Sequence, residues 1–286
     1  MNKITSLHAI KDPNLKQNFE LLEAKNLSAH RQDEIQEVIV YFSPSWFRPF
    51  NYFKRIWAYF IGLKHIGDFD LVHLNVTYPA GIMALYLKWF KNKRYVITEN
   101  WTGFRPTSFD KEPFLKRFII KTILKNASKF LPVSNDLQKQ LLRIAPDIKS
   151  EIIPNVVNTD IFIAKNNQKQ VSKRKQFIHI SNLKEEHKNV TGMLNVALRL
   201  VKEGYDFEFH IGGNGDWQRI QAFIDKYNVG DRIYTFGRLT YAEVAEKMQQ
   251  GDCFVLFSNY ENQPCVQVEA FASGIGVIAT KVGGIA

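Results

Sequence analysis

Short apolar runs rich in β-branched and aromatic residues alternate along this chain with longer stretches in which apolar residues recur three and four positions apart. Runs at 4–10, 38–42, 71–75 and 95–98 read as strands, and stretches at 13–24, 50–63, 80–90 and 113–127 read as helices. Alternation of this kind predicts an α/β fold with parallel sheets flanked by helices. Residues 129–133 add a strand, and Ser134 is placed to N-cap a helix over 136–144. The pattern breaks in a polar, lysine-rich run at 165–175, the best linker candidate. Beyond it the rhythm restarts, with strands at 177–181, 207–212, 233–236, 253–257 and 276–280. Helices at 190–202, 217–227, 241–249 and one carrying Glu269 are interleaved with them. Two domains are therefore expected, 1–165 and 166–286.

A chain of 286 residues, 45% apolar and 23% charged, has room for two cores of about 100–150 residues each. Charge is unevenly spread between them. Residues 1–165 hold 24 Lys and Arg against 15 Asp and Glu, whereas 166–286 hold 14 against 13. The excess points the first half at an anionic partner, whether phosphorylated lipid, membrane surface or nucleic acid. No nucleic-acid module accompanies it, so nucleic acid is not expected. Cys253 and Cys265 suggest neither a disulfide framework nor a metal set, and a reducing cytoplasm fits. The most apolar stretches, near 56–63 and 79–87, are too short to span a bilayer, and no basic-then-apolar leader opens the chain. The expected location is cytoplasmic, with any membrane contact peripheral at the inner face. Lys116, Arg117, Lys121, Lys125 and Lys129 accompany an apolar stripe, which suits either an anionic bilayer or an ordinary packed helix with a solvated basic face. The aromatic stretch from Phe47 to Phe60, mixed with Arg48, Lys54 and Arg55, fits a lipid or glycan acceptor as well as it fits helix packing.

Ligands of parallel α/β sheets bind beyond the carboxyl ends of the strands, so the loops there carry the chemistry. After the strand at 253–257 comes E-N-Q-P-C-V-Q-V-E, with Glu261 before a helix and Glu269 within it. Pro264 suits the first helical turn, whose unpaired amides around Gln263, Cys265 and Val266 form an anion site. Glu269 sits among apolar neighbours and needs a partner: a ribose diol, a backbone amide or an arginine. The loop after 177–181 offers Asn182 and Lys188, a lysine that either neutralises a diphosphate or is simply solvated. Gly212 and Gly213 open G-G-N-G-D, which permits close backbone approach but lacks the spacing of a nicotinamide fingerprint. Gly237 and Arg238 end another strand, lining a base pocket or making a turn. Asp68-Phe69-Asp70 precedes a strand of the other domain and reads as loop polarity, and the strand histidines His73 and His179 read as satisfied core residues.

Together these residues resemble the retaining glycosyltransferases of family 4, which have a GT-B fold of two Rossmann-like domains. The resemblance covers nearly the whole chain, most specifically residues 176–286. It implies that Glu261, in the E-x7-E element, faces the donor sugar and helix start, that Glu269 holds ribose hydroxyls, and that Lys188 binds the diphosphate. Asn182, Gly212, Gly213, Arg238, Asn262, Gln263, Pro264, Cys265 and Val266 complete the expected donor site. Thr98 to Phe104 looks like the family's acceptor-side loop, placing Glu99 and Asn100 there. Two positions depart from the family pattern: Asn182 stands where an arginine is usual, and Asn100 where a histidine commonly follows the glutamate. The chain is also expected to lack the family's usual N-terminal and C-terminal ends. The function implied is transfer of a sugar from a nucleotide-diphosphate donor to a glycan or lipid-linked acceptor with retention, using no metal or other cofactor. The alternative is a truncated, catalytically inactive remnant that binds nucleotide weakly or not at all.

Overall fold

The computed structural model describes residues 4–27, 34–164 and 174–285. The chain forms two compact units, Met1–Pro132 with Lys139–Glu151, and Val133–Gln138 with Ile152–Ala286. Most of the lysine-rich run at 165–175 lies outside the described residues.

In the first unit, β1 (Ile4–Lys11), β2 (Phe19–Leu27) and β3 (Glu34–Phe42) form a sheet of order β1-β3-β2. The helix expected at 13–24 is absent, and strand β2 occupies much of that stretch. Leu15, Phe19 and Leu22 mimic a helical stripe, but Phe19 and Leu21 pack on the buried core of Val40, Phe42 and Ala58 while Glu20 and Leu22 are exposed. Pairing with β3 thus selects the two-residue period. That pairing is antiparallel, whereas β1 and β3 are parallel, so this sheet is mixed rather than wholly parallel. Helix α1 (Arg48–Leu63) covers it, close enough that a Cβ on Gly62 would lie 2.3 Å from Leu7 Cδ1.

The same unit contains a second, parallel sheet of order β4-β5-β6, from β4 (Leu71–Leu74), β5 (Arg94–Glu99) and β6 (Lys129–Pro132). Its connections are α2 (Gly81–Lys91), the single turn α3 (Pro106–Phe109) and α4 (Phe114–Asn126). Tyr95, Ile97 and Phe130 of the sheet and Ile120, Ile123 and Leu124 of α4 are fully buried, and the Tyr95 hydroxyl donates to Ile123 O at 2.5 Å. Helix α5 (Asn135–Ile144) begins as expected, with Ser134 Oγ accepting from Leu137 N–H at 3.3 Å.

The second unit is a five-stranded parallel sheet of order β11-β10-β7-β8-β9. Its strands are β7 (Lys175–Ser181), β8 (Phe207–Gly213), β9 (Ile233–Phe236), β10 (Cys253–Leu256) and β11 (Gly276–Ala279). After the single turn α6 (Glu185–Lys188), α7 (Val190–Lys202) and α8 (Trp217–Tyr227) pack with Phe207, Phe209 and Ile211 on one face. On the other face α9 (Tyr241–Gln250) and α10 (Cys265–Ala272) pack with Ile178, Ile180, Phe254 and Leu256. The chain winds outward from β7 to β9 and then returns to place β10 on the opposite side of β7. Strand order therefore reverses between β7 and β10, which opens a crevice at their carboxyl ends.

Candidate functional site

Two turns shape the loop after β7. Ser181 Oγ accepts from Leu183 N–H at 3.0 Å, and Asn182 Oδ1 accepts from Lys184 N–H at 3.2 Å. They hold buried Leu183 at φ +54°, a left-handed conformation that costs such a side chain on the order of 1 kcal/mol or more. His179 lies beneath this loop, fully buried. Its Nδ1 is 2.8 Å from Val255 O, which can only accept, so Nδ1 carries the proton and Nε2 accepts from the Ser181 hydroxyl at 2.8 Å. Burial drives its pKa down to about 4, with a smaller push from Lys188, against the opposing bond to Val255. The core role expected of His179 fits this placement. His73 is instead exposed and bonds Thr98 Oγ1 at 2.7 Å.

The loops after β7 and β10 are stitched together. Asn259 N–H donates to His187 O at 2.9 Å, and its side-chain amide donates to Glu186 O at 3.2 Å. This brings Lys188 onto Glu261 as an ion pair whose side chains are only 12% and 10% exposed. The Ser258 hydroxyl donates to the same Glu261 oxygen at 2.8 Å. Gly283 and Gly284 buttress the carboxylate's backbone from behind, and Gly284 N–H donates to Glu261 O at 3.0 Å. A Cβ on Gly283 would fall 2.0 Å from that oxygen, so the turn has no room for a side chain.

Helix α10 points its start into the same crevice. Pro264 is its N-cap, one residue earlier than the expected first-turn position, because Pro264 keeps an extended ψ of 123° and supplies no side-chain cap. With no cap and no acidic side chain in the first turn, the amides of Cys265 and Val266 remain available to an anion. Asn182, Lys188, Glu261, Pro264, Cys265 and Val266 line one cleft of about 190 Å³. A cation beside a helix N-terminus is an anion-binding arrangement.

Glu269 lies one turn further along α10, buried. The Tyr241 hydroxyl lies near enough to act on its carboxyl, and the Asn158 backbone N–H acts on the same hydroxyl. Burial raises the Glu269 carboxyl above its ordinary value, opposed by the neighbouring Tyr241 hydroxyl. Asn262 and Gln263 turn toward protein partners. The Tyr260 hydroxyl donates to Asn262 Oδ1 at 2.5 Å, and Gln263 is bridged through Oε1 and its carbonyl to Asn155. Gly212 and Gly213 close on protein backbone: a Cβ on either would lie 2.3 Å from Phe236 O or 2.0 Å from Ser181 O. Arg238 is exposed in the loop after β9, which lies two strands from β7 in the sheet, and is not among the residues lining the cleft. Sequence reasoning did not single out Ser258 or Tyr241. Ser258 stands three residues before Glu261 at a strand end, a signal that could have found it, whereas Tyr241 comes from a distant helix and carries none.

Glu99 and Asn100 belong to the first unit. Glu99 is buried and accepts from Thr77 N–H (2.8 Å), Thr77 Oγ1 (2.7 Å), Asn100 N–H (3.0 Å) and Trp101 N–H (2.8 Å). Burial raises its pKa against these four donors. In the Asp68-Phe69-Asp70 segment, Asp68 pairs with Lys93 at 2.6 Å, which lowers its pKa. Among the described residues, no three His, Cys, Asp or Glu side chains cluster, and no helix is long and apolar enough to cross a membrane.

Residues 20–161 match the family described as Glycosyltransferase Family 4, and residues 160–286 match Glycosyl transferases group 1. The chain belongs to the family 4, group 1 glycosyltransferases. One relative of the chain is N-acetyl-alpha-D-glucosaminyl L-malate synthase of Bacillus anthracis, 25% identical over 76% of this chain and 58% of the relative. Another is an uncharacterized glycosyltransferase of Methanocaldococcus jannaschii, 26% identical over 90% of this chain and 69% of the relative. The chain thus spans 58% and 69% of the lengths of these two curated relatives. Among solved structures, sucrose-phosphate synthase of Thermosynechococcus elongatus superposes with TM-score 0.73 at 18% identity, over 98% of this chain and 72% of that one. Anabaena HepE, in complex with UDP and glucose, gives 0.67 at 15% identity, over 86% and 68%. These likenesses establish the GT-B fold expected of this chain.

Proposed function

We propose that this glycosyltransferase moves a sugar from a nucleoside diphosphate donor to a hydroxyl of a glycan or lipid-linked acceptor, with retention at the anomeric carbon. The observation that carries the reading is the convergence of Lys188, Glu261 and the free amides of α10 at the strand-order reversal between β7 and β10. A diphosphate entering this cleft takes Lys188 from Glu261 and meets the Cys265 and Val266 amides. Cleavage of the sugar–phosphate bond builds negative charge on the leaving diphosphate, where these preorganised groups hold it. Glu261, released from its ion pair, accepts from sugar hydroxyls. Glu269 exchanges the Tyr241 hydroxyl for a ribose diol, which meets the desolvation cost of its buried carboxylate. Asn182 brings no charge, so Lys188 and the helix start carry the diphosphate alone, and the proposal includes no metal or other cofactor. On the acceptor side, Glu99 shapes the Asn100–Trp101 turn through its four bonds. The two free thiols are consistent with work in the cytoplasm.

Thermal shift and calorimetry with UDP and GDP test the donor site, since a ligand bound only by the folded chain raises its melting temperature. One of the two nucleotides should stabilise the wild type and not Lys188→Ala. Stabilisation by neither would favour the inactive remnant over the transferase. Product anomer analysis by NMR tests retention, and an inverted product would refute it.

A further inference from the structure

Three helices of the first unit form a continuous row, α1 beside α2 and α2 beside α4. Rings link them from Trp57 to Phe60 (6.4 Å), from Phe60 to Tyr86 across α1 and α2 (4.8 Å), and from Tyr86 to Phe90 (5.3 Å). The Trp89 indole N–H then donates to Asn126 Oδ1 of α4 at 3.4 Å. Large apolar side chains stand out from this row: Phe53 is 66% exposed, Trp57 55%, Phe90 71% and Phe118 58%. Such a cluster exceeds the scattered exposed apolar residues normal on a soluble protein.

Charge follows a matching pattern. The three helices contain nine Lys and Arg and not one Asp or Glu. Residues 48–129 hold 15 Lys and Arg against 5 Asp and Glu, so the chain's entire formal charge of +10 is matched within this stretch. On α4, Phe114, Phe118, Lys121 and Lys125 recur at helical spacing and are all exposed, aromatic first and basic after. On α1, Phe50, Phe53 and Trp57 do the same, with exposed Lys64 just past the helix end. Several nearby cations are already engaged, Lys54 by Ser43 and Asn18, and Lys116 by Glu112. Lys64, Lys91, Lys121 and Lys125 are left facing solvent.

We propose that the α1–α2–α4 face docks on an anionic phospholipid bilayer, aromatic rings entering the headgroup–acyl boundary and the exposed lysines meeting lipid phosphates. Aromatic and basic side chains on one helical face are the combination that holds a protein in that interface. A second copy is a poor occupant, because two such faces would oppose cation to cation with no carboxylate on any of the three helices. The inference does not depend on the donor chemistry proposed above, and its test uses no nucleotide.

Sedimentation with vesicles of phosphatidylcholine alone, or containing about 30 mol% phosphatidylglycerol, tests the docking. The full chain should partition to the anionic vesicles, release as salt rises, and shift its tryptophan emission to shorter wavelength on binding. Lys121→Gln with Lys125→Gln should lower partitioning about 25-fold, roughly fivefold for each charge. Phe53→Ser with Trp57→Ser and Phe118→Ser should lower it on vesicles of either composition. Circular dichroism melts establish that each variant folds, and the two-lysine variant alters only exposed charge. Equal sedimentation with neutral and anionic vesicles, or unchanged partitioning in the lysine variant, would overturn the proposal. So would a dimer by light scattering that the aromatic variant dissolves while vesicles bring down no protein.

Discussion

Replacing Lys188 by Met, Glu261 by Gln, and both together separates what the ion pair does for stability from what it does for the ligand. Both side chains are about nine-tenths buried, so the pair behaves as an interior one. Lys188→Met leaves Glu261 in its buried position with the Ser258 hydroxyl donating to it but no cation beside it. An interior charge stripped of its partner costs about 3 kcal/mol or somewhat more, and Glu261→Gln strands Lys188 in the same way. The double variant strands neither charge and keeps the volumes, so it should return to within about 1 kcal/mol of wild type. Hydrogen exchange of the β7 and β10 amides reads the effect locally, and urea titration reads it globally. Ligand binding should behave differently, because a diphosphate needs the ammonium whether or not Glu261 is charged. UDP or GDP affinity, whichever the wild type shows, should fall at least tenfold in Lys188→Met and stay low in the double variant. If the double variant is as unstable as the two single losses combined, the pair is not coupled as its geometry indicates. If the double variant binds nucleotide like wild type, Lys188 is not the diphosphate ligand.

Acid should weaken the second unit through His179, whose folded value of about 4 lies below its ordinary 6.5. Between these values the unfolded chain binds the extra proton, so this stability is complete above about pH 6.5. It is lost as pH falls through 4, by up to about 3 kcal/mol. His179→Gln should flatten that part of the urea-stability profile, and an unchanged profile would contradict the assignment. The Cys265 thiol lies in the cleft with its pKa raised above 9.0 by burial, then by Glu269 and Glu261. Maleimide labelling at Cys265, followed by mass spectrometry, should therefore still accelerate above pH 9 and slow when UDP or GDP occupies the cleft. Labelling that neither nucleotide affects would place the ligand elsewhere. Gly213→Ala meets a φ of +132° and a Cβ 2.0 Å from Ser181 O, so it should cost about 2–3 kcal/mol in urea titration. A loss below about 0.5 kcal/mol would show that the turn yields.

Much of the fold was legible because its signals are local. In the second unit each strand and helix read from apolar spacing is present to within about a residue or two, since apolar runs, turn residues and caps mark each element locally there. At 13–24 two periods competed, and only the hydrogen bonds of β3, which follows β2 in the chain, selected the strand. Glycines at 212 and 213 were readable as a tight turn, but not that Phe236 and Ser181, rather than a ligand, fill the space beside them.

Sequence alone thus determined the element types outside residues 13–24, the family and the candidate carboxylates Glu261 and Glu269 with Lys188, because propensity, period and motif spacing are properties of neighbours in the chain. Tertiary structure decided which of these meet. It joined Lys188 to Glu261 across 73 residues, gave Glu269 the Tyr241 hydroxyl, and turned Asn262 and Gln263 inward. The reason is that strand order within a sheet brings distant loops together, and no local pattern in the chain records which strand will lie beside which.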